Sequence, residues 1–240
     1  MNIINDLKTL EKLTNEKLSI SRFGDGEFFH LFNNNYKNAS GRQKCSKEIK
    51  LKLKNIINSD SKKILIGISG FLAKQDEIEN NFKDYTPYMK KFIKKTIKNI
   101  NNNYPNLLDK QFYSAEITRI TNSNHQEEMI KIFDNYFINN DFVFVGNKIV
   151  IKLIKNKFID KFKKIQFLEV KKQNAYEDYE EILKNINKLG KNNIYLLAIG
   201  ITATILSFDL SENGFIAVDI GHYFELLEKR NKRLKGKKEL

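Results

Sequence analysis

Short runs of β-branched and aromatic residues alternate along this chain with stretches whose apolar residues recur at helical spacing. The strand candidates are SISRF (19–23), KKILIGIS (62–69), QFYSAEITRI (111–120), DFVFVG (141–146), KIQFLEV (164–170), NIYLLAIG (193–200) and FIAVDIG (215–221). Alternation of this kind predicts βαβ units: an α/β, Rossmann-like fold with a mainly parallel sheet flanked by helices. Two of the intervening helices carry clear signals. Thr86 and Pro87 form an N-cap and N1 pair, followed by an apolar stripe of Met89, Phe92, Ile93, Thr96, Ile97 and Ile100, with Lys90, Lys91, Lys94, Lys95 and Lys98 on the remaining surface. Asn174 is placed to cap a second helix, whose first turns hold Glu177, Asp178, Glu180 and Glu181 and whose inner face is Tyr179, Ile182, Leu183, Ile186 and Leu189.

No repeat, low-complexity linker or Pro/Gly-rich hinge divides the 240 residues, and the only prolines are Pro87 and Pro105. The expected organisation is one domain over residues 1–228 with a basic tail over 229–240. The uncharged stretch Asn192–Phe208 is too short and too polar for a spanning helix, and reads as a buried strand entering a buried helix. The opening MNIINDLKTLEKL does not read as a signal peptide, and a single cysteine, Cys45, excludes an internal disulfide or a CxxC motif. Together these predict a cytoplasmic protein.

A net charge of +13 raises the question of a polyanionic partner. Only five of the 42 basic residues are Arg, however, whereas phosphate and base recognition favours the Arg fork, and the Lys surplus travels with Asn and Ile in the manner of an AT-rich coding bias. Seven basic residues fall between Lys229 and Lys238, and subtracting them from +13 leaves +6. That tail reads as a solvated end or as a peripheral contact with an anionic membrane surface. The five-lysine helix face reads as solvated surface.

The glycines are more informative. Gly24 and Gly26 follow the first strand run, and Gly146, Gly200 and Gly221 end later ones, so several strands finish in backbone that a ligand can approach. Open α/β sheets bind ligands at the carboxyl ends of their strands. The first such end reads Arg22-Phe-Gly24-Asp25-Gly26-Glu27. Position 29 is Phe where a dinucleotide fingerprint requires glycine, and Asp25 would repel a pyrophosphate, so GxGxxG binding is excluded. Two readings of the carboxylates stand side by side: Asp25 caps a helix beginning near Phe28 with Glu27 favourable to its dipole, or the pair holds a hard cation that also meets a phosphate, with Arg22 adding positive charge. Thr202 and Thr204, after Gly200, suit an anion at a helix N-terminus, and Asp219 and His222 flank the last strand end.

RFGDGE, FYSAEITRI, KKQNAYEDYEEIL and LLAIGITATILSFDLSENGFIAVDIGH, in this order from about Ser19 to His222, resemble the GT-D family of bacterial glycosyltransferases, formerly a domain of unknown function. The resemblance implies a metal-dependent enzyme that transfers a sugar from a nucleotide-diphosphate donor. Asp25 and Glu27 match the family's metal-binding pair, and Arg22 the arginine before it. Arg119 matches a basic residue ending the middle strand, and Asn174 with Tyr176 an Asn-Ala-aromatic step. The chain departs from the family pattern at Ile201, where proline is usual, at Gly146-Asn147-Lys148, where a fuller Gly-Asn-Asp loop is usual, and after Gly221-His222, where the acid is Glu225 and not residue 224, which is Phe.

The resulting expectation is a UDP-sugar-dependent glycosyltransferase using Mn²⁺ or Mg²⁺, acting on a hydroxyl of a cell-surface glycan, glycoprotein or lipid-linked precursor. Asp219 and Glu225 are its candidate bases, and Arg22, Gly24, Gly26, Arg119, Asn174, Tyr176, Thr202, Thr204 and His222 its donor-binding residues. The rival is a non-catalytic nucleic-acid or polyanion binder on the same scaffold, which accounts for the lysines but not for Asp25, Glu27 and Asp219.

Overall fold

The computed structural model describes residues 1–32, 39–40, 43–72, 86–120 and 123–236. All seven expected strands are present: β2 (Ser19–Phe23), β5 (Ile64–Ile68), β6 (Gln111–Ser114), β7 (Asp141–Gly146), β8 (Lys164–Glu169), β9 (Ile194–Ala198) and β10 (Ile216–Asp219). With the short β1 (Asn2–Ile4) they form one parallel sheet in the order β1-β6-β5-β2-β10-β9-β7-β8. β1 has no alternating apolar signature; it is recruited to the edge by pairing Asn2, Ile3 and Ile4 with Gln111, Phe112 and Tyr113. A two-stranded ribbon, β3 (Ala39–Ser40) with β4 (Gln43–Lys44), stands apart.

The described α-helices are α1 (Asp6–Asn15), α2 (Asp25–Phe32), α3 (Lys47–Asn58), α4 (Pro87–Asn103), α5 (Gln126–Asn139), α6 (Lys148–Lys157), α7 (Tyr179–Leu189), α8 (Ile201–Glu212) and α9 (Tyr223–Gly236). They cover both faces of the sheet. α2, α3, α4, α7 and α8 close one apolar core, and α1, α5, α6 and α9 close the other. The strands alternate between the cores as a pleat requires: Val143 and Val145 enter the first, Phe142 and Phe144 the second. α8 is buried nearly all round, which explains its lack of an amphipathic stripe. Its small hydroxyl residues are what let it sit so close to the sheet. Ser21 Oγ donates to the Thr204 carbonyl at 2.7 Å and lies 2.8 Å from Ser207 Oγ.

Thr86 caps α4 by accepting from the Met89 N–H, and Ile93, Thr96 and Ile100 are the buried part of the expected stripe. Four expectations change. The middle run QFYSAEITRI is strand only to Ser114, because the Ser114 hydroxyl accepts from Glu116 N–H and turns Ala115–Thr118 into a 3-10 helix. Asn174 makes no side-chain cap; it sits at φ 51°, left-handed, and its side chain is used elsewhere. α2 begins at Asp25, not near Phe28. The tail is helical from Lys229 to Gly236 as a continuation of α9, with residues 237–240 outside the described set.

The chain leaves β2 toward β5 and β6 on one side and returns through β7, β8 and β9 to β10 on the other. The order therefore reverses between β2 and β10, and the carboxyl ends of these two strands diverge around a crevice.

Candidate active site

A cleft of about 250 Å³ occupies this crevice, walled by the segments that follow β2, β6, β7, β8, β9 and β10. Its frame is Arg22. The guanidinium donates from Nε to the Asp219 carbonyl at 2.7 Å, from Nη2 to Asp219 Oδ1 at 2.8 Å, and from Nη1 to the Ala115 carbonyl at 3.0 Å and Thr118 Oγ1 at 2.6 Å. Four of the five N–H groups of a guanidinium are thus committed to protein, across three strand ends. Gly221 has φ +50°, and a Cβ there would lie 2.1 Å from Arg22 Nη2. Both the backbone conformation and the space require glycine at that turn.

α2 starts on the same platform. The Gly24 carbonyl accepts from Phe28 N–H at 3.2 Å, which makes Gly24 the cap position, and Glu27 Oε2 accepts from Gly24 N–H at 2.8 Å. Glu27 is therefore the returning half of a capping box. The expected cap at Asp25 is thus replaced by Gly24, backed by Glu27, and Asp25, at the first helical position, projects into solvent with a side chain 61% exposed. Thr204 Oγ1 lies 3.1 Å from the Arg22 carbonyl, 3.3 Å from Glu27 Oε1 and 3.4 Å from Asp219 Oδ2, bridging the two acids with a single hydroxyl. Burial, and then the charge of Asp219, push the Glu27 carboxyl up to about 7, against the Gly24 N–H and the Arg22 charge.

Arg119 is the second cation. Its guanidinium stands 3.9 Å from Asp25 and 3.5 Å from Glu116, and its side chain is 45% exposed. These are loose ion pairs at the rim that a ligand can displace, unlike the bonds of Arg22. Glu116 is itself held by the Ser69 hydroxyl.

On the opposite wall, Gly200 adopts φ 62°, ψ −142° and leads into α8 without a side-chain cap, leaving the backbone from Ala198 to Ile201 facing the cleft. Asn147 caps α6 by accepting from Ile149 and Val150 N–H. His222 Nδ1 is hydrogen-bonded to Glu225, and both line the cleft.

Of the residues expected at the site, Arg22, Gly24, Asp25, Gly26, Glu27, Arg119, Asn174, Asp219, His222 and Glu225 line one cleft. Thr202 and Thr204 lie behind its wall, buried in α8. Tyr176 turns away: its hydroxyl donates to Glu48 at 2.6 Å and its N–H to Gln43 at 3.1 Å, while Asn174 Oδ1 accepts from Lys44 N–H. The Asn-Ala-Tyr step thus docks the β3–β4 ribbon against the cleft rim. Gln43, Glu116, Lys171 and Lys172 also line the cleft and were not anticipated. The two lysines follow a strand end in the sequence, which was a usable signal; Glu116 was hidden inside a run that reads as strand to Ile120, and Gln43 had no signal, since the ribbon that carries it has no pattern.

Among the described residues, no three His, Cys, Asp or Glu side chains gather into a ready-made metal cage. The donor set nonetheless fits a hard divalent ion of the Mg²⁺ or Mn²⁺ type, which is held by one or two carboxylates together with substrate phosphates. Asp25 and Glu27 would supply such carboxylates one residue apart, Asp25 exposed at the cleft and Glu27 buried beside it.

A doubly wound parallel sheet with an acidic, arginine-rimmed cleft at its switch point defines an α/β enzyme scaffold. The family model described as Glycosyltransferase GT-D fold matches residues 20–240, and the chain belongs to that family. Among solved structures, one described as the highly conserved domain of unknown function 1792 with a distinct glycosyltransferase fold is 22% identical. It superposes with a TM-score of 0.80 over 97% of this chain and 82% of that one. Another, described as a new glycosyltransferase (DUF1792) from Streptococcus sanguinis, is 19% identical with a TM-score of 0.80 over 97% of this chain and 85% of that one. No curated protein matches the chain.

Two outcomes follow from this geometry. Gly221→Ala is expected to lower stability by about 2–4 kcal/mol, through strain at positive φ and displacement of Arg22, read as a lower urea midpoint at unchanged slope. Glu27 has a folded-state pKa raised from 4.5 to about 7, so the unfolded chain releases this proton first and stability falls as pH rises between those values. Without divalent cations, Glu27→Gln should remove a pH-dependent loss on the order of 3 kcal/mol across that window. Equal pH slopes for the two proteins would contradict the placement of Glu27.

Proposed function

We propose that this GT-D protein is a glycosyltransferase that takes a sugar from a nucleotide-diphosphate donor, with UDP as the nucleotide, and passes it to a hydroxyl of a cell-surface glycan or glycoprotein precursor in the cytoplasm. The observation that carries the reading is the division between the two arginines. Arg22 is spent inside the frame, whereas Arg119 waits at the rim, 3.9 Å from the exposed Asp25. A diphosphate set between Arg119 and the N-terminal backbone of α8 meets a guanidinium on one side and helix N–H groups on the other. Mn²⁺ or Mg²⁺ at Asp25 and Glu27 would supply Lewis-acid neutralisation of the leaving diphosphate.

The chain's own residues divide the remaining work. Arg119 moves from its loose carboxylate partners to the phosphate oxygens and stabilises charge that grows as the glycosidic bond breaks. Of the two carboxylates expected as the base, Asp219 is tied to Arg22 at 2.8 Å and serves as its anchor. Glu225, joined to His222, is the group that takes the acceptor's hydroxyl proton, directly or through the imidazole. The lysines of α4, which a polyanion-binding function would use, do not line the cleft.

Calorimetry with UDP and Mn²⁺ tests the reading. Asp25→Ala and Glu27→Ala should abolish metal-dependent nucleotide binding, and Arg119→Ala should weaken it by about ten- to a hundredfold, the worth of a charge-assisted contact. Binding should collapse with EDTA yet persist from about 50 to 200 mM salt, a range over which lysine-to-phosphate binding falls by orders of magnitude. Chelator-insensitive UDP binding, or binding unaltered in both carboxylate variants, would refute the metal site; tight, salt-sensitive binding of nucleic acid in its place would favour the polyanion reading.

A further inference from the structure

The sheet ends on an edge that complements itself. Among the described residues β8 pairs only with β7. Val170 N–H donates to the Gly146 carbonyl, so by the alternation of a strand the backbone groups of Gln166 and Leu168 also face β7. Those of Ile165 and Phe167 face outward. Ile165 and Phe167 are half-buried on the same face of the sheet, and Lys163 and Glu169, at the two ends of that row, are exposed.

We propose that β8 is a homodimer interface, on which a second copy of this chain adds its own β8 antiparallel about a two-fold axis through Gln166. In this register Ile165 faces the partner's Phe167, and Phe167 faces the partner's Ile165. Each of these pairs exchanges both N–H···O bonds, because its groups already point outward. Lys163 then lies opposite the partner's Glu169, and Glu169 opposite the partner's Lys163. Lys163 contributes only its side chain, since its N–H is bonded to the Phe137 carbonyl. Gln166 meets the partner's Gln166 as a non-hydrogen-bonded pair.

The register is selected. Moving the axis to Phe167 sets Ile165 against the partner's Glu169, an apolar group against a charge. Competing contacts are weak: Lys163 and Lys164 reach Asp141 only at 3.9 and 3.8 Å, as exposed pairs. The same end charges deter foreign strands, because an unrelated edge leaves Lys163 and Glu169 without opposite charges. A strand of this length buries less than a standard interface, so the dimer is weak and concentration-dependent. The antiparallel arrangement directs the two clefts to opposite ends of one continuous sheet and leaves both open, so the inference stands apart from the enzymatic reading.

Sedimentation velocity on the full chain between about 1 and 200 μM should show a reversible monomer–dimer equilibrium. Lys163→Glu and Glu169→Lys should each weaken it about tenfold or more, because every reversal acts twice across the axis, and the double variant should restore it. Gln166→Cys gives a second readout: opposed residues of a non-hydrogen-bonded pair have Cα atoms about 4.5 Å apart, within disulfide reach. Air oxidation should therefore link that variant into a covalent dimer, while the parent, whose Cys45 is buried, stays unlinked. A monomer throughout the range, or a dimer indifferent to both reversals and unlinked through residue 166, would overturn the proposal.

Discussion

The arrangement of the cleft depends on one buried ion pair. Arg22 leaves the end of β2, Asp219 ends β10, and their contact spans the point where the strand order reverses. Parallel strands that diverge at a switch point have no ladder bonds beyond their ends to fix the separation of the loops. The guanidinium supplies that missing connection, and through the Ala115 carbonyl and Thr118 it also holds the turn after β6. Removing either partner would leave a charge with little access to water, which costs far more than the net worth of the pair. The pair is best understood as a geometric constraint and not as a source of stability.

Several features follow from that constraint. Glu27 is enclosed by the frame that Arg22 and Asp219 make, and burial first, then the neighbouring Asp219 charge, raises its pKa. Thr204 is drawn between the two acids from within α8, which explains a hydroxyl at that position of a buried helix. Gly221 must be glycine because the guanidinium fills the place of a side chain. The site's acids, its buried helix and its last turn thus answer to the same group.

The strands were legible in the sequence because both faces of a covered parallel sheet are apolar, and runs such as DFVFVG have few other uses. The strand-end glycines and the acid pair placed most of the cleft for the same reason. What could not be read were roles set by long-range partners. Nothing in RFGDGE says that Arg22 turns inward to Asp219, 197 residues away, and the Asn-Ala-Tyr step looks like ligand chemistry until Lys44 and Gln43 are seen to occupy it. β1 escaped notice because its pairing supplies what its sequence lacks.

Composition sharpens the point about the two arginines. In a chain whose basic residues are overwhelmingly Lys, with five Arg among 42, two of those five line the cleft. An ammonium carries three donors on one nitrogen and cannot bond the Asp219 carbonyl, the Asp219 carboxylate, Ala115 and Thr118 together, so at position 22 the planar fork is a geometric necessity. Among the described residues Arg119 has only the looser carboxylates of Glu116 and Asp25, at 3.5 and 3.9 Å, and in the function proposed above its fork is turned to a pair of phosphate oxygens. One arginine is satisfied by the fold, and the proposed function gives the other to the donor. That asymmetry is the strongest physical reason to regard the cleft as a site for an anionic donor.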